Sequence, residues 1–557
     1  MHQPETQPRF STWYPYRVYP YQRQSFTGDE PARVVIVGAG PIGMATALDL
    51  ARFGVPSLII ESERQVSHGS RAICLTRRSM EILQMIGCHQ PFMDKGLGWN
   101  LGRSFYRGKE VFQMQLPDSD ENRFPPILNI QQQYIEQYLI EAIEANPLTR
   151  IQWGSSVTGI RQDQEVATLS IDTAEGDYDL AADWVIAADG GRSTIRKLMK
   201  LRMEGKAYSG NFVIADIQAD IDLPTERRCY FDPEWNPGNN VLVHREPDGI
   251  WRLDFRLPDG ETPEQALEKQ VLTQRINSIL QMIGQRVKWS LDWATVYSAS
   301  TKTLPDFVHD RVLFVGDAAH LLPIFGVRGA NTGFQDSNNL AWKLAAVIHG
   351  GSDKKLLYSY SSERVQAARE ICDEGGKSTR FMTPPTAGYR RLRDAVLSLS
   401  LSQDFVKNLM HWRTSRPHTY ANSSLNATDD GGEAFTAGPA IGEVAHSHRL
   451  ADNDFLLDYL QGALTLLVFA TEANGPVFEM QSSFPLRRIV VNRNGSPVPG
   501  ADLVIRDRND ELSQAYGAEV GTVYLIRPDQ HVCGRWKHVA AESLQAAINR
   551  AVCAEEF

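Results

Sequence analysis

The chain has 557 residues, of which 42% are hydrophobic and 22% charged, and it carries a net charge of −10. That length is too great for one core and implies three or four units at ~100–200 residues each. The acidic balance excludes nucleic acid, or an anionic membrane surface, as the main partner.

Residues 1–31 lack the apolar stretch of a secretory signal and are rich in Tyr, Pro and Gln. They read as an extended arm packed on the first domain, because Trp13, Tyr14, Tyr16, Tyr19 and Tyr21 are costly to leave in water. From Arg33 the pattern becomes strand, turn, helix, strand: RVVIV, GAGPIG, MATALDLARFG, then SLIIE ending at Glu61. Two more apolar strands end in acids, DWVIAADG (Asp183 to Gly190) and RVLFVGD (Arg311 to Asp317). Between them VLVHREPDGIWRLDFRL alternates around a PDG turn and predicts an antiparallel hairpin. A sheet domain is therefore expected between two pieces of an α/β domain. After Asp317 come a glycine-rich loop, a helix to about Gly350, and further helix to about residue 410. A polar linker follows, then a small α/β unit.

The expected boundaries are 1–31 for the arm, 32–200 with 296–410 for the first domain, 201–295 for the inserted sheet, 411–445 for the linker and 446–557 for the last unit. The longest apolar run near the C-terminus, ALTLLVFA, is far short of the ~20 residues of a membrane span. Six scattered cysteines, with no CxxC and no metal-ligand spacing, suit reduced thiols in a cytoplasm and predict no metal site.

GAGPIG is a GxGxxG match in its required setting, a strand before and a helix after. Gly38 permits the tight turn, Gly40 lets the backbone approach a pyrophosphate, and Gly43 lets the helix pack on the sheet. The helix N-terminus offers free N–H groups and partial positive charge to phosphates. Glu61 lies near the ~20-residue distance expected of a ribose-binding acid. These residues predict dinucleotide binding without choosing between FAD and NAD.

The other two strand ends make the choice. GAGPIG, then DWVIAADGGRSTIR (Asp183 to Arg196), then GDAAHLLPIFGVRGANTGFQDSNNLAWKL (Gly316 to Leu344) resemble the three fingerprints of single-component flavoprotein aromatic hydroxylases. The resemblance covers roughly residues 32 to 400. It implies a Rossmann-like FAD-binding α/β domain, an inserted antiparallel substrate sheet and a C-terminal thioredoxin-like unit. The last lacks CxxC, so no redox role is expected of it.

The resemblance also implies roles. Gly38, Gly40 and Gly43 would hold the FAD pyrophosphate and Glu61 the adenosine ribose. Arg71 would lie near flavin and phosphates. Gln132 would contact the cofactor, with Gln131 and Gln133 as neighbouring alternatives. Asp189 would belong to a motif linked to FAD and NADPH. Gly316 and Asp317 would meet the ribityl chain, and Gly329, Ala330 and Asn331 would offer backbone N–H groups to the flavin pyrimidine edge. In one place the chain departs from the family. Many members read PPxxGxG in the loop, whereas this chain reads Pro323-Ile324-Phe325-Gly326-Val327-Arg328-Gly329. The second proline is absent, one glycine is displaced and Arg328 is added. Pro323, Phe325 and Arg328 are the candidates for substrate selection there.

In the family NADPH (or NADH) reduces FAD, O2 adds to give a C4a-hydroperoxide, and its distal oxygen attacks an electron-rich ring. Phenolate is a far better nucleophile than phenol, so a base or acceptor for the substrate hydroxyl is expected, and water must be excluded. The inserted sheet should roof the pocket. Its candidates are Tyr230, His244, Arg245, Arg252 and Asp254, with Tyr297 reaching in from the strand beyond. His244 shares a face with Leu242, and Arg252 shares one with Asp254. His320 reads as a brace of its loop, and Cys74 and Cys229 as packing residues. The expected activity is hydroxylation of a small phenolic aromatic, with a homodimer as the family's common assembly. Rival expectations are oxidation of a polycyclic antibiotic, epoxidation or oxidative denitration, and a non-enzymatic FAD-binding protein. A halogenase is disfavoured, since no WxWxIP motif occurs.

Overall fold

The computed structural model describes residues 4–28, 30, 32–258, 260–323, 325–409, 414–428, 434–471 and 479–554. Ile324 and part of the expected linker lie outside them.

In the first domain, β1 (Val34–Val37) leads through Gly38–Gly40 into α1 (Pro41–Arg52), and β2 (Ser57–Ile60) follows. Two strands, β3 (Leu101–Tyr106) and β4 (Lys109–Gln115), leave this domain before α2 (Gln132–Glu144) and β5 (Thr149–Gln152) return to it. Next come β6 (Trp184–Ala187) and then the long β7 (Glu204–Ala219). The hairpin partners β8 (Arg227–Phe231), β9 (Asn240–Arg245) and β10 (Ile250–Arg256) follow, with α3 (Lys269–Met282) behind them. The chain returns through β11 (Trp289–Thr303), β12 (Val308–His309), β13 (Val312–Phe314) and β14 (His320–Leu321). Three helices close this part: α4 (Gly329–Ile348), α5 (Lys355–Met382) and α6 (Ala387–Leu399).

The first sheet runs β12-β13-β6-β1-β2-β5 and is parallel except for β12. Its strands are buried on both faces, which is why they read as continuous Val/Ile/Leu runs. The parallel strands end together, so Gly38, Glu61, Asp189 and Gly316 gather along one edge of the sheet. In open α/β sheets that carboxyl edge is where ligands bind.

The second sheet runs β14-β11-β7-β10-β9-β8-β3-β4. It takes β3 and β4 from residues assigned by sequence to the first domain, and β11 runs to Thr303, past the expected boundary at 295. One face packs on α3 through a core that includes Val213, Leu253, Phe255, Ile276 and Ile279. The other face carries Phe212, Leu242, Cys229 and Phe231, against Phe325, Met382 and Leu397 from the loop, α5 and α6.

The arm crosses between the two sheets. Ser11, Thr12 and the Trp13 indole all donate to Asp292 on β11, at 2.5–3.0 Å. Tyr19 stacks on Trp153, 4.5 Å between ring centres.

The last unit holds a sheet in the order β17-β16-β15-β18-β19 (Leu503–Arg506, Leu486–Asn492, Leu464–Phe469, Val523–Ile526 and Val532–Trp536) and ends in α7 (Ala541–Ala551). Its ionic residues meet α4 and α5 in the interior. Arg527 spans Glu363 (2.7 Å) and Asp529 (2.6 Å), and Lys343 also reaches Glu363 (2.8 Å), all buried. Arg78 reaches in from the first domain to Gln530 at 2.5 Å.

Candidate active site

A cavity of about 430 Å³ runs between the two sheets, from Gly40 and Asp317 at one end to Arg227, His244 and Asp254 at the other. The cofactor end is built by the strand termini. Gly38 adopts φ +107°, and a Cβ there would lie 2.6 Å from the Ala188 carbonyl oxygen, so only glycine fits this turn. Gly40 differs: a Cβ there would meet nothing within 4 Å, leaving open space in front of the α1 N-terminus. The Glu61 carboxylate accepts from the Ala39 N–H at 2.6 Å and the Glu63 N–H at 2.8 Å, which ties β2 to the glycine turn. Asp189 accepts from the Ile195 N–H at 3.0 Å, while its Oδ1 is buried without a partner.

Asp317 is well exposed, but the space it meets is the cavity, and protein surrounds it. Burial raises its carboxyl pKa, partly offset by His320 and Arg71. Beneath it, Asp336 accepts from the Gly316 N–H (2.9 Å), His320 Nε2 (2.6 Å) and Arg364 Nε (2.6 Å). Burial alone would raise the Asp336 carboxyl, but His320 and Arg364 overcome it and hold the pKa at about 2. His320 therefore braces the turn rather than facing the cavity.

Gln132 lines the cavity, whereas Gln131 donates to the Pro247 carbonyl and Gln133 to the Tyr16 hydroxyl. The Gln132 oxygen accepts from the Arg71 and Ala72 N–H groups at 3.1 Å, and Glu136 fixes its amide from behind at 2.8 Å. Arg71 extends, exposed, along the cavity. At the start of α4 the first N–H groups, those of Gly329, Ala330 and Asn331, precede the first intrahelical donor, Thr332. The Asn331 side chain is used structurally, accepting from Thr76 and Ser79 and donating to Cys74 and Val327 carbonyls. The loop before it is strained. Val327, at the first glycine of the family's PPxxGxG pattern, holds φ +60°, which costs a β-branched residue ~1–3 kcal/mol. Phe325 is buried edge-on against Phe212 at 5.4 Å, and Arg328 is buried with Nε toward the Phe325 carbonyl. Pro323, Phe325 and Arg328 all line the cavity.

At the far end, strand register assembles the polar groups. Asp216, Arg252 and His244 stand side by side across β7, β10 and β9, and Ile214, Asp254 and Leu242 form the next row. Arg252 is fully committed. Its guanidinium binds Asp216 at 2.8 and 2.9 Å and donates to the Ser70 carbonyl, with Glu246 3.6 Å away. It ties the sheet to the 67–72 loop and is not free to bind an anion. His244 Nε2 lies 3.6 Å from Asp254 Oδ2, while His244 Nδ1 and Asp254 Oδ1 are buried without partners. Burial, then Arg227 and Arg252, push His244 well below its usual range, so it is neutral. Burial raises Asp254 to about 7, against the pull of Arg252. Tyr297 lines the cavity near Asp317, its hydroxyl pushed up to about 12 by burial.

Tyr230 corrects the sequence expectation. Strand alternation turns Cys229 and Phe231 toward the cavity side and Tyr230 onto the opposite core, stacked on Phe105 at 4.7 Å. It is not among the residues lining the cavity. Sequence reasoning missed Asp216, Asp336 and Arg227. The alternation of RRCYF, applied from Cys229 rather than Tyr230, would have found Arg227.

A Rossmann-like sheet with a glycine turn, and acids at its strand ends around a deep cavity, define a dinucleotide-binding flavoprotein architecture. Residues 31–375, more than half of the chain, match the family model described as FAD binding domain, and the chain belongs to this FAD-binding family. The residues fit FAD: open space at Gly40 before the α1 N-terminus and a carboxylate at Asp317 facing the cavity. The chain is 28% identical over 372 residues to 3-(3-hydroxy-phenyl)propionate/3-hydroxycinnamic acid hydroxylase of Escherichia coli K12, a match spanning 65% of this chain and 65% of that relative. The flavin-dependent monooxygenase PieE, solved with FAD and substrate, shares the fold with TM-score 0.77, 21% identity, and coverage of 94% of this chain and 99% of that one. Aklavinone-11 hydroxylase, solved with FAD and aklavinone, gives TM-score 0.74 at 23% identity, covering 94% and 100%.

Proposed function

We propose that the protein is an NAD(P)H-dependent FAD monooxygenase that hydroxylates a phenolic aromatic with O2. The observation that carries this is the His244–Asp254 pair, 3.6 Å apart, two titratable side chains that line the cavity alongside Phe212, Leu242 and Phe325. FAD, reduced by NAD(P)H, supplies the activated oxygen. The chain's own residues do the rest. Asp254 accepts the phenolic proton, which makes the ring electron-rich; such proton transfer is worth ~10²–10⁴ in rate. Neutral His244 hydrogen-bonds the substrate oxygen and holds it beside Asp254. The apolar side chains keep water out, and Arg252 fixes the sheet over the 67–72 loop.

The C-terminal unit, read as thioredoxin-like, serves structure. Its Cys533 is buried with a thiol pushed up to about 12, too high for redox exchange. All six cysteines are unpaired, which suits a reducing compartment. A homodimer is supported by Tyr389, Leu392, Leu399 and Phe405, apolar side chains left exposed on and after α6.

The test is a panel of phenols with purified holoenzyme. At least one phenol should stimulate NADPH oxidation and leave a product one oxygen atom heavier. Oxidation unaffected by every phenol would overturn the reading.

A further inference from the structure

Arg227 opens β8, on the same face as Cys229 and Phe231, and lines the cavity. Only 8% of it is exposed. Its side chain makes no hydrogen bond or ion pair with any described residue, and its Nε is buried without a partner. A guanidinium cannot shed its charge, and an uncompensated charge in a protein interior is costly.

The neighbouring cations are all answered. Asp216 neutralises Arg252, while Glu226 binds both Arg103 (2.9 Å) and Arg228 (2.5 Å). Asp254 lies 3.6 Å from the neutral His244 and feels the Arg227 charge without forming an ion pair with it. Yet Arg227 stands close enough to depress the basicity of His244 and to favour the Cys74 thiolate electrostatically. The sheet thus presents one positive charge without an ion-pair partner, close enough to Asp254 to lower a carboxyl that burial nonetheless holds near 7.

We propose that Arg227 is a substrate-binding residue that pairs with a carboxylate, so that the native substrate is an aromatic acid rather than a neutral phenol. This rests on the hydroxylase reading and extends it. The planar fork of a guanidinium matches a carboxylate with two parallel N–H···O bonds. The acid supplies the missing ion-pair partner and places the ring's hydroxyl at His244 and Asp254.

The experiment uses two probes without a phenolic hydroxyl, 3-phenylpropionate and its amide, titrated into FAD-loaded enzyme. Binding is read from the flavin absorption spectrum and by calorimetry. The acid should bind the wild-type enzyme at least tenfold more tightly than the amide. In R227M that preference should vanish through loss of acid affinity, with amide affinity retained, and R227K should keep part of it. Equal affinity for acid and amide in the wild type would overturn the proposal without any variant. So would a preference that survives in R227M with normal FAD content. Failure here leaves the hydroxylase reading standing if neutral phenols are still hydroxylated; failure of that reading shows instead as no phenol being hydroxylated at all.

Discussion

His244 Nε2 faces Asp254 Oδ2 across 3.6 Å, from adjacent antiparallel strands, and the remaining nitrogen and oxygen of the pair have no protein partner. Burial sets Asp254 near 7, against ~3.9 for an unfolded aspartate. As the base it must be ionised, so kcat/KM for a phenol should rise with pH through about 7. Asp254→Asn should lower the rate by ~10²-fold or more and erase this limb. A stability effect follows with the opposite sense. The folded protein holds a proton that the unfolded chain releases, so Asp254 lowers stability as pH rises from ~4 to ~7. An amide in its place cannot be charged, so D254N should melt above the wild type at pH 8, with the gap closing at pH 5. A pH–rate profile unchanged in D254N would remove Asp254 as the base.

Asp317 projects into the cofactor end of the cavity from the end of β13. Asp317→Ala should weaken FAD binding at least tenfold, measured by fluorescence titration of the apoprotein, without lowering the melting temperature of the apoprotein. Wild-type FAD occupancy in this variant would refute the ribityl assignment.

Asp336 holds the same turn from below. Asp336→Asn would leave Arg364 buried with an uncompensated charge, a loss of ~3–5 kcal/mol. Its carboxyl is depressed to about 2, so its stabilisation is present above ~4 and lost as pH falls toward 2. Thermal melts between pH 3 and 7 should therefore show a large deficit for D336N at pH 7 that shrinks with acidification.

Glu363 receives Arg527, Lys343 and Asn339 (2.7 Å) at the seam between α5 and the C-terminal unit. Burial opposes its ionisation, but Arg527 and Lys343 hold its carboxyl below the usual range. Glu363→Gln should loosen that seam, with faster hydrogen exchange in β18 and β19 and a melt that splits or broadens. Exchange identical to wild type would show that the apolar contacts alone hold the unit.

Leu392, 58% exposed on α6, tests the assembly. Leu392→Glu should convert a dimer to a monomer by light scattering, with FAD content unchanged. A wild-type protein already monomeric would end the dimer reading.

Much of the cofactor end was legible because it is local. GAGPIG, Asp189 and Asp317 each sit at the end of a buried strand, where one short stretch specifies strand, turn and acid together. The substrate end depends on register between distant strands. His244 and Asp254 could be placed on faces by alternation, but nothing in WRLDF shows that Arg252 is locked by Asp216, 36 residues away. The turn toward or away from the cavity was likewise invisible for Tyr230, since either parity of RRCYF is apolar enough to bury. Val327 is a further case: only its φ shows that a valine occupies a place suited to glycine.

The Asp292 carboxylate that gathers Ser11, Thr12 and Trp13 belongs to β11, the strand that also carries Tyr297, while Tyr19 is anchored on the flavin side at Trp153. The segment from Ser11 to Tyr19 thus acts as a tie-rod across the mouth between the two sheets. Proteolytic trimming there would remove no residue that lines the cavity, yet it would cut the contacts that tie Asp292 to Trp153 across the two sheets. For the proposed hydroxylase, coupling of NADPH oxidation to product, rather than FAD content, is the quantity that should suffer first.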